Sequence, residues 1–223
     1  MPRRRRPFIR PDADRDARLI VIAAEDSKAT IAYFQALVSP RWYQSSRVHV
    51  ELLTRATTAS APRHVLQQLN QWREEYQIGA DDELWLVIDV DRWGNAELSD
   101  VARECEQKNI RLAVSNPAIE LWFLLHLTGL DRYTEEEKAL LLENSRDGGR
   151  RTRLERAILE IAGQYNKSRL DAARYLPHVE TAVDRARSLD TRPSDRWPQG
   201  LGTRVYLLAQ SIIESASYRV GGA

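Results

Sequence analysis

The stretch Leu84-Trp85-Leu86-Val87-Ile88 runs directly into Asp89-Val90-Asp91, so an apolar strand ends in two acids of the same parity. Side chains alternate faces along a strand, and residues two apart share one. Asp89 and Asp91 therefore stand together at the carboxyl end of a strand too apolar for an exposed edge, where open α/β sheets place their ligands. Two adjacent carboxylates repel unless a cation lies between them, and an oxygen-seeking divalent ion, Mg²⁺ or Mn²⁺, is the simplest reason to build the pair. The alternative is that Asp-x-Asp merely closes the strand in a turn. Glu25 ends an earlier apolar run, Leu19-Ile20-Val21-Ile22, in the same way. If the two strands are neighbours, Glu25, Asp89 and Asp91 converge on one crevice, a constellation suited to phosphodiester chemistry.

Lys28 follows Glu25 by three residues and would sit at a helix start beside that crevice, either steadying a phosphate or forming a weak surface pair. Glu120 lies in the first turn after Pro117, inside an otherwise apolar run. It is either a fourth acid facing the metal or a partner for the positive end of its own helix. The catalytic candidates are thus Glu25, Asp89, Asp91, Glu120 and Lys28, with Glu25, Asp89 and Asp91 as metal ligands. Lys28, Lys167, Arg150, Arg151 and Asn116 are the candidate substrate contacts, although for the arginines a solvated helical face is the safer reading. His126, on the apolar helix, reads as a hydrogen-bonded core histidine, and His49, His64 and His178 lack metal spacing. No P-loop, dinucleotide fingerprint or nucleophile elbow occurs.

Elements that would position these residues follow from the pattern. Strands are expected at Arg18–Ala24, Val48–Leu52, Glu83–Val90 and Ile110–Val114, alternating with helices at about 27–38, 61–76 and 95–108. Such alternation argues for α/β architecture, a mostly parallel sheet of about four strands flanked by helices. Ser115-Asn116-Pro117 predicts a helix start with Asn116 as cap and proline in the first turn. Beyond Thr128 the texture is helical, with a Thr134-x-x-Glu137 capping box, further helices at 153–163, 177–188 and 203–216, and no strand signal. The expected organisation is a basic, flexible arm at 1–17, an α/β domain at 18–127 and a helical C-terminal extension at 128–223.

Composition bounds the partners. The 223 residues are 43% hydrophobic and 29% charged, ordinary for a globular chain. Residues 1–10 carry five arginines and no acid, which leaves 28 basic against 32 acidic residues elsewhere and no globally basic footprint. No apolar run follows the arginines, and the longest apolar stretch, Ala118–Leu127, is too short to span a bilayer, so no membrane and a cytoplasmic location are expected. The single Cys105 excludes an internal disulfide and a cysteine-rich zinc site.

Read in order, Glu25, Tyr33-Phe34, Asp89-Val90-Asp91, Ser115-Asn116-Pro117, Glu120-Leu121-Trp122 with Leu124-Leu125-His126, Tyr165-x-Lys167 and Thr203-x-Val205-Tyr206-x-Leu208 resemble the RloB-like family. The core of that family resembles a Toprim domain, the metal-binding α/β module of topoisomerases, primases and some nucleases. The resemblance implies Glu25 as the general acid/base or metal neighbour and Asp89 and Asp91 as the Mg²⁺ pair. It also implies a nuclease effector of bacterial anti-phage defence acting on DNA or RNA, with an AAA-type ATPase partner encoded nearby and a possible homo-oligomer. A non-catalytic Toprim-like binding or regulatory module that recruits the ATPase is the alternative. The chain departs from the family in the first motif, where Glu-Gly-x-x-Thr-Glu is replaced by Glu25-Asp26-Ser27-Lys28-Ala29-Thr30. Glycine allows close backbone approach to a phosphate, whereas Asp26 adds negative charge and a further candidate ligand.

Overall fold

The computed structural model describes residues 5–9, 17–54, 61–90, 93–146 and 148–217. Its centre is a five-stranded sheet in the order β3 (Val48–Leu53), β2 (Arg18–Ala24), β5 (Glu83–Asp89), β6 (Arg111–Asn116) and β7 (Gly202–Thr203). The first four are parallel, and β7 pairs antiparallel with the end of β6. A separate pair joins β1 (Arg6–Pro7) to β4 (Tyr76–Gln77). There Phe8 packs against His49, Trp72 and Tyr76, and Arg6 reaches Glu75 at 3.2 Å.

Continuous apolar runs place β2 and β5 in the middle of the sheet, covered on both faces, as expected of parallel strands. On one face Leu19, Val21, Ala23, Leu84, Leu86 and Ile88 meet α2 (Pro62–Glu75) and α3 (Asn95–Gln107). Val65, Leu66 and Leu69 supply the apolar stripe of α2, and Leu98, Val101, Ala102 and Cys105 that of α3. On the other face Ile20, Ile22, Trp85 and Val87 meet α1 (Ala29–Leu37) and α4 (Glu120–Leu127). The same cluster continues into α5 (Glu135–Glu143), α6 (Arg153–Ala162), α7 (Val179–Leu189) and α8 (Val205–Ser217) through Leu141, Ile158, Val183, Leu208 and Ile212. Thus eight helices flank the sheet among the described residues.

Capping explains several of the helix boundaries. Thr134 and Thr152 both form full capping boxes, with Glu137 and Glu155 as the reciprocal partners. Asn144 and Gly163 end these helices in the left-handed region. The expected helix start at Asn116 is corrected: β6 runs through Asn116, the Asn116-Pro117 bond is cis, and α4 begins at Glu120 with Ile119 as its N-cap. Asn116 lies three residues ahead of that N-cap, and its amide N–H donates to the Pro198 carbonyl at 2.9 Å. The strand β7 was also absent from the expected pattern, because two residues carry no periodicity. Arg204 anchors it: its backbone N–H donates to the Val114 carbonyl, and its guanidinium grips Asp190 through two 3.0 Å bonds. No helix among the described residues is long and apolar enough to cross a membrane.

Candidate functional site

The parallel register brings Glu25 and Asp89 together. Ala24 pairs with Val87, and the next backbone N–H, that of Glu25, donates to the Val87 carbonyl at 2.9 Å. The Glu25 carboxylate is 7% exposed and accepts the Asp89 backbone N–H at 3.2 Å. The Trp93 indole N–H lies 3.1 Å from both Glu25 oxygens. Glu25 continues the parity of Leu19, Val21 and Ala23, which face α2 and α3, and so it meets Trp93 just ahead of α3. Asp89, 8% exposed, keeps the parity of Trp85 and Val87 and faces the α1 and α4 side. β5 ends at Asp89, one residue short of the expected Val90, and Asp91 lies outside the described residues.

A second group forms on the α1 and α4 side. Glu120 opens α4 and is 3% exposed, and its Oε1 accepts from the Tyr165 hydroxyl at 3.0 Å and the Lys167 ammonium at 2.8 Å. Asp26 turns one oxygen to the start of α1, where Oδ1 accepts the Lys28 and Ala29 backbone N–H groups at 2.8 and 3.2 Å. Its other oxygen, Oδ2, is buried without a hydrogen-bond partner and faces the Lys167 ammonium at 3.6 Å. Burial alone would lower the Lys167 pKa, but Glu120, Asp26 and Asp89 outweigh it and hold the ammonium above the ordinary lysine range. Burial, reinforced by Glu120, also raises the Tyr165 hydroxyl well above its usual value, so it remains a donor.

The remaining candidates divide. Exposed Lys28 stands at the crevice edge, its ammonium 3.4 Å from Ser168 Oγ. Arg151 donates to the Tyr165 carbonyl at 2.9 Å and so supports the Tyr165–Lys167 segment, while Arg150 is exposed. Asn116 is buried and spends its amide N–H on the Pro198 carbonyl. His126 is a core group: its Nδ1 bonds the Trp122 carbonyl at 2.8 Å, and its Nε2 accepts from the Tyr33 hydroxyl at 2.9 Å. Trp93 and Ser168 were not singled out by pattern. An indole in a polar loop immediately after an acid pair was the one available hint for Trp93.

The hard carboxylate oxygens of Glu25 and Asp89 are donors of the type that suits a divalent cation of the Mg²⁺ class, whereas Asp26 Oδ2 already faces the Lys167 ammonium. Among the described residues, which exclude Asp91, no three His, Cys, Asp or Glu side chains gather closely enough to hold one. A cavity of about 910 Å³ opens near the other end of the sheet, lined by Arg18, Glu83, Trp85, Arg111, Arg204 and Ser211, among others. It includes none of the candidate site residues; the acids and their position at the strand ends, rather than cavity size, identify the site.

No curated protein and no solved structure matches the chain. The model of the RloB-like protein family matches residues 20–212, which takes in both β2 with Glu25 and the Tyr165–Lys167 segment. With most of its length matched, the chain belongs to the RloB-like protein family.

Proposed function

We propose that this protein is a Mg²⁺-dependent nuclease with a Toprim-like core, an effector of anti-phage defence that cleaves phosphodiester bonds. The observation that carries the reading is that Glu25 and Asp89 close neighbouring parallel strands at their carboxyl ends, where the Glu25 carboxylate accepts the Asp89 backbone N–H. Glu25, Asp89 and Asp91 would hold the ion. Bound there, it would supply a more acidic water and neutralise phosphate charge. The chain's own groups do the rest. Trp93 and the Asp89 backbone orient the Glu25 carboxylate, which would take a proton from an attacking water. Lys28, exposed at the edge, steadies the phosphodiester. The test is cleavage of DNA and RNA panels with and without Mg²⁺. Asp89→Ala and Asp91→Ala are expected to lower the rate by about 100-fold or more. Cleavage by both variants at the wild-type rate would overturn the assignment.

A second reading, a non-catalytic module that recruits a partner ATPase, draws on one observation: a lysine ammonium already neutralises Asp26 and Glu120 inside the crevice. Calorimetric titration with Mg²⁺ and Mn²⁺ separates the two, because a vestigial site binds neither ion.

A further inference from the structure

Lys167 was expected to reach outward to phosphate, but its ammonium points inward between two acids from different elements. Asp26 follows β2 and Glu120 opens α4, while Lys167 comes from a short 3-10 turn, Lys167–Arg169, that follows α6. Each member is held independently. Asp26 Oδ1 is tied to the start of α1, Glu120 is braced by Tyr165, and Asn166 caps the turn by accepting the Ser168 N–H at 3.0 Å. The Asp26 side chain is only 9% exposed and that of Glu120 only 4%, so both charges depend on a nearby cation.

We infer that the Lys167 ammonium is a built-in second cation of the crevice, filling a position that the Asp26 and Glu120 carboxylates would otherwise offer to a divalent ion. As a point charge with three donors it neutralises those acids, but it has no open coordination position. The crevice therefore takes one exchangeable ion, the one proposed for Glu25, Asp89 and Asp91, and that first ion rests on the proposed metal reading. Asp26 matters because glycine at that position would leave Glu120 as the ammonium's sole acidic partner in contact. Two carboxylates completed by water suffice for a Mg²⁺-class ion once the ammonium is removed.

The test is Mn²⁺ stoichiometry of the full chain, followed by electron paramagnetic resonance of the free ion. Wild type is expected to bind one Mn²⁺, and Lys167→Met and Lys167→Gln are each expected to bind two. Lys167→Arg should remain at one, and Asp26→Asn combined with Lys167→Met should return to one. Glutamine retains a donor for Glu120, so it serves if methionine prevents folding. Equal stoichiometry in wild type and the neutral variants overturns the inference and leaves the metal reading intact. No ion in wild type with one in the neutral variants overturns the metal reading and supports the place assigned to Lys167. No ion in any protein overturns both.

Discussion

Replacing Glu83 by alanine should destabilise the whole chain although it lies at the opposite end of the sheet from the acids. Glu83 is the first residue of β5, is 6% exposed, and uses both oxygens twice. Oε1 accepts from Arg18 at 2.9 Å and Arg111 at 2.5 Å, and Oε2 accepts from the Trp85 indole at 2.8 Å and Ser211 at 2.7 Å. It thereby joins the starts of β2, β5 and β6 to α8. The Arg111 side chain is 55% exposed, and its share is small after solvent screening. The buried indole N–H and Ser211 hydroxyl lose a charged acceptor, each at a cost of about 1–3 kcal/mol. Arg18, whose Nε already lacks a partner, loses its countercharge. Together these put the loss at about 3–5 kcal/mol, the range for breaking a buried pair from one side. For a chain of this size that corresponds to a fall in Tm of roughly 6–20 °C. Thermal melts followed by circular dichroism measure it, with Glu104→Ala, which removes a half-exposed pair with Lys108, as the comparison expected to cost less than about 1 kcal/mol. A Glu83→Ala melt within about 2 °C of wild type would refute the reasoning that α8 is held to the sheet through this carboxylate.

Other groups give independent tests. Trp93→Phe removes the indole donor from both Glu25 oxygens and should weaken Mn²⁺ binding by about 10–100-fold; unchanged affinity by calorimetry would show that this orientation is immaterial. His126 is pushed down to about 3, first by burial, so the unfolded chain binds its proton at higher pH than the folded chain does. Its contribution is complete above its ordinary value near 6.5 and is lost progressively as the pH falls toward 3. His126→Gln should therefore flatten the acid limb of a stability-versus-pH profile, and an unchanged limb would contradict this. Cys105 is fully buried and pushed up to about 12 by burial and by Glu104, so an aromatic disulfide reagent at pH 8 should react with it only after urea unfolding. Immediate reaction of the native protein would contradict that burial.

The elements governed by local pattern were legible in the sequence. The run Leu19–Ile22 and the run Leu84–Ile88 became the central parallel strands, and the Thr134–Glu137 box opened α5 as expected. Elements that depend on distant partners were not. β7 is held by Arg204, which bonds Val114 and Asp190, and α4 starts late because β6 continues through Asn116, which pairs with Gly202 of β7. The site divides along the same line. Glu25 and Asp89 were readable because each ends an apolar strand. The grip of Asp26 and Glu120 on Lys167 spans separate elements and leaves no periodic trace. Asp26 was visible as a departure from the family motif, but its two roles, acceptor for the Lys28 and Ala29 N–H groups and partner for Lys167, require the folded geometry.

The most direct test of the proposed metal centre is a crystal structure of the protein soaked with Mn²⁺ and measured at a wavelength that reveals its anomalous scattering. The expected result is a peak within coordination distance of carboxylate oxygens from Glu25, Asp89 and Asp91, with the Lys167 ammonium still seated between Asp26 and Glu120. An anomalous map with no peak at the carboxyl ends of β2 and β5, from crystals that bind Mn²⁺ elsewhere, would contradict it.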